Sequence, residues 1–304
     1  MQSGLAIFTL FHIVFCIERM RFYNIPMGNM DAIKMRARVD VKRIIKTGAA
    51  IVSTFKPHPD AGRGVVVLMY HRVNDIRHDE LSVKPDQFRC QVRWLHDMGF
   101  GNMRIRDLES IAERNEPLPE NRSVVFSFDD GYEDNYTTAF PILKEFGYTG
   151  MFYLTSDFIG TERMFELDKK ESGRVEHNRI MNWEQASRLL SDGMEIGSHT
   201  MSHAILTSIP EDKARQEIEG SKKALEDKLG VEITSLCYPG GFFDDSHENM
   251  ARKAGYKSAC TADMGIWRGG NVLRIPRVGV LASDSYFIFR TKVMGRMEWF
   301  KAFR

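Results

Sequence analysis

The chain has 304 residues, of which 43% are hydrophobic and 27% are charged, and its formal net charge is +1. This length suits one large α/β domain or two small ones, and the composition is ordinary for a soluble globular protein. The near-neutral charge gives no argument for nucleic acid as a partner. The four cysteines include no CxxC pair, so they indicate neither a zinc ribbon nor a disulfide framework, and we expect them to be reduced.

Residues 1–62 are interpreted as a poorly patterned leader. Its apolar run, residues 4–17, would extend about 21 Å as a helix, which is short of the roughly 30 Å of a hydrocarbon core. No Lys or Arg precedes this run, whereas Arg19 and Arg21 follow it. Because that charge order tends to retain the following chain in the cytoplasm, we expect a cytoplasmic or inner-membrane-associated protein, with a periplasmic or secreted one as the alternative. Residues 40–54 have the pattern of a basic amphipathic helix.

Residues 63–304 are interpreted as one domain, because short β-rich apolar runs alternate with segments of helical spacing from Gly64 onward. The predicted strands are Val65–Met69, Val124–Phe128, Met151–Leu154, Met194–Ile196, Thr234–Tyr238, Lys257–Thr261 and Val278–Leu281. The predicted helices are Phe88–Leu95, Ala139–Glu145, Trp183–Leu190, Lys213–Leu229 and Ser246–Ala254. This alternation predicts parallel β/α units, in either a barrel-like or a doubly wound domain.

The end of the chain, residues 287–304, mixes aromatic with basic side chains. We expect a helix that packs on the domain and keeps a solvated basic face. The alternative is a helix that binds a membrane surface or a partner.

Polar side chains follow several of the predicted strands, at the strand ends where parallel α/β folds build their active sites. These positions are His71, Asp129, Asp130, His199, His203 and the run Tyr238–Gly241. Because parallel strands end at the same side of a sheet, we expect these groups to converge on one site.

Asp129 and Asp130 are adjacent carboxylates, and adjacent side chains at a strand end point in different directions. One can therefore bind a metal while the other accepts a proton from water. His199 and His203, in "HTMSH", are four residues apart, so on a helical turn they would face one metal ion. Two histidines with one of these carboxylates are typical of a hydrolytic zinc site. The alternative for the acids is a turn that caps a helix starting near Glu133.

The segments "FSFDDGY" and "GSHTMSH" resemble the first and second motifs of the polysaccharide deacetylases of carbohydrate esterase family 4, and the similarity covers about residues 64–282. The resemblance implies a distorted (β/α)7 barrel with parallel strands and metal-dependent removal of acetyl groups from N-acetylated sugars. It also implies that Asp129 is the general base and that Asp130, His199 and His203 bind the metal. Zinc is the usual metal of the family, and cobalt, nickel or iron also suits this ligand set.

The segment "CYPGG" departs from the third motif of the family, because it has Pro239 but carries Gly240 where an aromatic residue is usual and has no nearby arginine. The backbone N–H of Gly240 can still stabilise an oxyanion. Tyr238 and Pro239 are the candidate substrate-binding residues.

The segments "LMYHRV" and "RIPRVGV" resemble a circularly permuted branch of the family that includes poly-N-acetylglucosamine deacetylases. This resemblance implies that His71 is the general acid. We expect Arg277 to pair with Asp129 and keep it ionised, in place of the missing arginine of the third motif.

The expected function is therefore metal-dependent deacetylation of an N-acetylated glycan, in exopolysaccharide or cell-envelope synthesis. The expected partners are that glycan, no nucleic acid, and a membrane surface that the N-terminal or C-terminal segment would contact. Two alternatives remain at this point. One is a catalytically silent carbohydrate-binding protein on the same fold, and the other is a metal hydrolase of another bond.

Overall fold

The computed structural model describes residues 47–48, 50, 64–76, 79–165, 168 and 178–298. The predicted leader, with its apolar run and its basic helix, lies outside these residues except at three positions. The final residues of the C-terminal tail, 299–304, also lie outside them. Among the described helices, none combines the length and the apolar character that a membrane crossing requires.

A closed ring of parallel strands forms the centre of the domain. The strands are β1 (Val65–Tyr70), β2 (Gly101–Asn102), β3 (Ser123–Phe128), β4 (Gly150–Leu154), β5 (Glu195–Ser198), β6 (Ser235–Cys237), β7 (Ser258–Met264) and β8 (Ile275–Gly279). β1 pairs with both β3 and β8, so seven strands close a barrel in the order β1–β3–β4–β5–β6–β7–β8, and β2 pairs with the start of β3. The predicted (β/α)7 barrel is confirmed, and the doubly wound alternative is wrong.

Helices surround the barrel in the described part of the chain. They are α1 (Pro85–Asp97), α2 (Ile105–Arg114), α3 (Phe140–Glu145), α4 (Trp183–Ser191), α5 (Glu211–Leu229), α6 (Asp245–Lys253) and α7 (Tyr286–Val293). Their ends follow local chemistry. Asn182 and Gln185 form a reciprocal capping box at the start of α4, and α5 ends at Gly230, whose φ of 68° is left-handed.

The structure differs from the predicted elements in several places. β2 and α2 were not predicted, and β8 begins at Ile275 rather than at Val278. β7 continues to Met264 rather than ending at Thr261, and α1 begins at Pro85 rather than at Phe88. α7 is the expected C-terminal helix and packs on the domain through Ile288 and Phe289, which are buried. However, the expected solvated basic face is wrong for Lys292, which is buried and pairs with Asp284 at 2.5 Å.

The side chains of β1 separate two apolar layers. Val66 and Leu68 belong to the large cluster that includes helix residues such as Phe88 of α1. Val65 and Val67 belong to a second cluster with Tyr153. Because successive strand residues point to opposite faces, the second cluster fills the inside of the barrel. The barrel is thus a packed core, and a cleft can form only at its ends.

Candidate functional site

A cavity of about 890 Å³ opens at the carboxyl ends of the strands. The residues that were predicted for the site and line this cavity are His71, Asp129, Asp130, His199, His203, Tyr238, Gly240 and Arg277. Pro239 is buried and does not line it. The structure therefore brings together side chains that follow β1, β3, β5 and β6 and one that lies within β8.

Asp130, His199 and His203 form a set of three ligand atoms. Oδ1 of Asp130 is 3.4 Å from Nε2 of His199 and 3.4 Å from Nε2 of His203. Tetrahedral ligands placed about 2.1 Å from a shared ion are themselves about 3.4 Å apart. Oδ1 of Asp130 is buried and has no hydrogen-bond partner within the described ranges, as expected of an atom that faces a cation. The three residues therefore fit one divalent metal ion.

Burial opposes the ionised form of Asp130, but the neighbouring imidazoles outweigh burial and lower the pKa of this carboxyl well below its usual value. A carboxylate that stays ionised is what a cation site requires.

The histidine pair lies on a loop and not on a helical turn, so the helical geometry expected from the four-residue spacing is wrong. His199 follows β5 directly, and the backbone then turns through left-handed conformations at Thr200, with φ 64°, and at His203, with φ 61°. Asp130 is also left-handed, with φ 74°. Non-glycine residues in this region cost about 1–3 kcal/mol each, and such conformations concentrate at functional sites.

Contacts from neighbouring elements hold this loop. Nδ1 of His199 lies 2.9 Å from the carbonyl oxygen of Cys237, and this contact leaves Nε2 directed at Asp130. On α5, Glu217 accepts hydrogen bonds from the N–H groups of Met201, at 2.9 Å, and Ser202, at 2.8 Å. The left-handed turns are thus fixed by partners on β6 and α5.

Asp129 sits beside this ligand set but has a different partner. Nη1 and Nη2 of Arg277 donate to its two carboxylate oxygens, at 2.7 and 2.8 Å. Arg277 is itself held by the carbonyl oxygen of Thr261 at 2.8 Å. Burial opposes ionisation of Asp129, but the charge and hydrogen bonds of Arg277 outweigh it and lower the pKa of the carboxyl. The expected contact between the two residues is present, and Asp129 is kept in the form that accepts a proton.

His71 is half-buried at the end of β1 and faces the same cavity. Its Nδ1 is buried and has no hydrogen-bond partner among residues 64–298 that the structure describes. Within the described residues, Nδ1 therefore lacks the carboxylate or carbonyl partner that commonly orients such a ring.

The turn after β6 gives the cavity a wall. Tyr238 stacks on Phe243 with ring centroids 4.4 Å apart, and its hydroxyl donates to the carbonyl oxygen of Leu273 at 3.3 Å. Gly240 has φ 62°, and a Cβ built there would lie 3.0 Å from the ring of Phe242. An aromatic ring thus covers Gly240 from a residue that the motif comparison did not consider. The run "GGFF", which contains Phe242, was the sequence feature that could have indicated this aromatic neighbour.

A second group of residues, of which Tyr132 and Asp168 line the cavity, was not anticipated from the sequence. The hydroxyl of Tyr132 donates to Asp168 at 2.9 Å and accepts from Arg72 at 2.7 Å. Arg72 is buried and also pairs with Asp79 at 2.7 Å. The sequence signals were the position of Arg72 directly after His71 and that of Tyr132 at the end of "FSFDDGY".

The fold and the ligand set define a parallel β/α barrel with an Asp–His–His site at its carboxyl end. Residues 117–259 match the family model described as Polysaccharide deacetylase. This stretch of the chain is therefore similar to the polysaccharide deacetylase domain. YxkH of Bacillus subtilis (strain 168), which is named for the same family, is 26% identical over 241 residues, covering 79% of this chain and 78% of that protein.

Two further similarities are to a named N-deacetylase and to a solved structure. The poly-beta-1,6-N-acetyl-D-glucosamine N-deacetylase of Escherichia coli (strain K12) is 24% identical over 276 residues, which cover 81% of this chain but only 41% of that protein. The structure of IcaB from Ammonifex degensii superposes with a TM-score of 0.64 and 23% identity, covering 77% of this chain and 97% of that chain. The latter similarity establishes the shared fold.

Proposed function

We propose that this chain is a metal-dependent N-deacetylase that hydrolyses the acetamide of N-acetylglucosamine units in a polysaccharide or lipid-linked glycan. One observation carries the proposal. Asp129 and Asp130 are adjacent in sequence, yet Asp130 faces two imidazole nitrogens at 3.4 Å while Asp129 is held by Arg277 at 2.7 and 2.8 Å. This difference in contacts supports a role for Asp130 as a metal ligand and for Asp129 as the base.

Each of these residues has a separate role in the reaction. Asp130, His199 and His203 would hold a divalent cation, which would supply Lewis-acid polarisation of the acetamide carbonyl. Asp129 accepts a proton from the water that attacks the carbonyl carbon. The N–H of Gly240 donates to the oxygen on which negative charge develops.

Collapse of the tetrahedral carbon breaks the C–N bond, and His71 gives a proton to the departing nitrogen. The products are acetate and a free sugar amine. The arrangement explains why the groups come from different strands, since the base, the acid and the ligands must surround one carbonyl.

We propose zinc as the resident metal, because two imidazoles and one carboxylate are typical of hydrolytic zinc sites. Cobalt, nickel and iron also suit this donor set. The metal content of protein purified without added metal, measured by plasma mass spectrometry, tests this assignment.

The test of the activity is acetate release from an N-acetylglucosamine oligomer, with p-nitrophenyl phosphate as the comparison substrate. We expect acetate from the oligomer and no phosphate ester hydrolysis. Oligomer binding without acetate release, from metal-loaded protein, would instead indicate a silent carbohydrate-binding protein. Hydrolysis of the phosphate ester alone would indicate a hydrolase of another bond.

We further propose that the protein acts in exopolysaccharide or cell-envelope synthesis and is cytoplasmic or associated with the inner membrane. The relatives named for poly-β-1,6-N-acetylglucosamine support the first part. The positive residues that follow the apolar run 4–17 support the second. Cell fractionation tests the location, and recovery from the periplasm or the medium would contradict it.

A further inference from the structure

Side chains that follow β3 also form hydrogen bonds with the loop that follows β1. Nδ2 of Asn135 donates to the carbonyl oxygen of His71 at 2.7 Å, and Asn135 is fully buried. Asp134 accepts the backbone N–H of Val73 at 2.9 Å and the amide of Asn74 at 2.5 Å. Two consecutive side chains therefore hold three positions of the chain around His71.

Asp134 and Asn135 also form a hydrogen bond with each other, so the position of each side chain depends on the other. Nδ2 of Asn135 also lies 3.0 Å from Oδ1 of Asp134, the oxygen that accepts from Val73. Asn135 begins a π-helical turn, Asn135–Ala139, before α3. Single π-helical turns inside helices occur frequently at functional sites, because the wider turn redirects a side chain.

The position of the His71 imidazole depends on these hydrogen bonds to the backbone. Its Nδ1 has no hydrogen-bond partner in the described part of the chain, so no side chain that the structure describes fixes the ring through that atom. The backbone that carries the ring is held by Asn135 at the His71 carbonyl and by Asp134 through Val73 and Asn74. Asp129 and Asp130 begin the same loop. The hydrogen bonds of Asp134 and Asn135 therefore also connect His71 with the two aspartates.

We propose that Asp134 and Asn135 are positioning residues, which place the His71 imidazole relative to Asp129 for proton transfer to the departing nitrogen. This inference rests on the proposed function, in which His71 is the general acid. Neither residue lines the cavity, so they act through His71. A misplacement of about 1 Å in a catalytic group can cost about 100-fold in rate.

The leaving group separates positioning of the acid from other effects. A sugar amine must be protonated as it departs, whereas p-nitrophenolate departs without a proton. Loss of a correctly placed acid therefore slows acetate release from an N-acetylglucosamine oligomer but not from p-nitrophenyl acetate. The measured quantity is the rate on the oligomer divided by the rate on p-nitrophenyl acetate. His71→Ala, which lacks the acid, gives the lowest value that this ratio can take.

For Asn135→Ala we expect kcat on the oligomer to fall about 10–100-fold, while the rate on p-nitrophenyl acetate and the metal content stay at wild-type values. Asp134→Asn retains an acceptor for the N–H of Val73 and should show a smaller fall in the same ratio. Asn182→Ala is the matched control, because Asn182 also exchanges two hydrogen bonds within the chain, with Gln185, but does not line the cavity. Its ratio should equal that of the wild type.

Equal losses on both substrates in Asn135→Ala, or no loss on either, would overturn the positioning role. If Asn135→Ala fails to fold, as judged by circular dichroism, the same comparison with Asp134→Asn decides, and an unchanged ratio in that variant overturns the proposal. Wild-type protein that releases no acetate from the oligomer while it hydrolyses p-nitrophenyl acetate would remove the proposed function itself. The two failures are therefore distinguishable.

Discussion

Arg277 reaches both carboxylate oxygens of Asp129, at 2.7 and 2.8 Å, although 148 positions separate the two residues in sequence. Arg277 lies on β8 and Asp129 follows β3, and β1 lies between these strands in the ring. The pair therefore exists because the barrel closes through β1. Both side chains are almost completely buried, so each charge depends on the other for compensation.

Arg277→Gln should shift the pH dependence of activity. Burial raises the pKa of a carboxyl and Arg277 lowers that of Asp129, so removal of the guanidinium raises it. Fewer molecules then carry ionised Asp129 at a given pH, and the acidic limb of kcat/KM should move to higher pH. Arg274→Gln is the control, because Arg274 is exposed and directly precedes β8. An acidic limb that does not move would contradict the role of Arg277.

The same variant should lose stability in a pH-dependent manner. Breaking a buried ion pair by removing one partner typically costs about 3–5 kcal/mol. Because the folded pKa of Asp129 lies below its unfolded value, the pair stabilises the fold above about pH 4 and ceases to do so as the pH falls through the folded value. The difference in Tm between Arg277→Gln and wild type should therefore be larger at pH 7 than at pH 3. A difference independent of pH would argue against an ionised pair.

Asp129→Asn and Asp130→Asn should separate catalysis from metal binding. Asp129 does not belong to the Asp–His–His set, so its amide variant should keep the metal and lose about two to four decades of kcat, as expected for a lost general base. Asp130→Asn should weaken metal binding by more than the roughly 10–100-fold that follows loss of a supporting contact. Competition with a chromophoric chelator measures the affinity. Near wild-type acetate release from Asp129→Asn would rule out its role as the base.

The sequence predicted the barrel because strand signals such as Val124–Phe128 and helix signals such as Lys213–Leu229 are local patterns. It located the site because adjacent acids and a spaced histidine pair follow strands. It did not predict α2, although Ile105, Leu108 and Ile111 show helical spacing. That segment follows a two-residue strand, which has no detectable pattern of its own.

The geometry of the loops could not be predicted in the same way. A spacing of four residues between histidines suits a helical turn, but the pair lies on a loop with left-handed residues at Thr200 and His203. That backbone is stabilised by Glu217, which approaches from a helix that follows in sequence. Contacts between distant segments select such conformations, and local pattern carries no information about them.

Glu217→Gln should test how far this support matters for the metal. The carboxylate accepts the N–H groups of Met201 and Ser202 together through Oε2 and the hydroxyl of Ser202 through Oε1, at 2.6 Å. An amide keeps one oxygen for the two N–H groups and can donate through its NH₂ to the Ser202 hydroxyl, but it removes the negative charge that strengthens all three hydrogen bonds, so the loop that carries His203 should loosen. We expect metal affinity to fall about 10–100-fold.

Chelator competition measures that affinity, and Glu219→Gln is the control, because Glu219 is exposed on the same helix. Metal affinity equal to that of the wild type in Glu217→Gln would show that the left-handed loop is stable without this carboxylate.

Gly241→Ala should destabilise the turn that carries Gly240 into the cavity. Gly241 has φ 73°, and a Cβ at this position would lie 2.4 Å from Cβ and 2.7 Å from the backbone nitrogen of Ala262 on β7. The left-handed backbone costs an alanine about 1–2 kcal/mol, and overpacking against a strand adds about 1–3 kcal/mol. Gly269→Ala separates the two contributions, because Gly269 also has positive φ, at 91°, but open space around it.

Thermal unfolding of the two alanine variants therefore isolates the contact with β7. We expect both Tm values to fall, with the larger fall in Gly241→Ala, because only that variant must displace Ala262 or the turn. A displaced turn moves Gly240, so acetate release should fall in Gly241→Ala and stay unchanged in Gly269→Ala when both are assayed well below their Tm. Equal Tm values for the two variants would mean that the turn can move away from β7 at little cost, and the close approach would then have no role in placing Gly240.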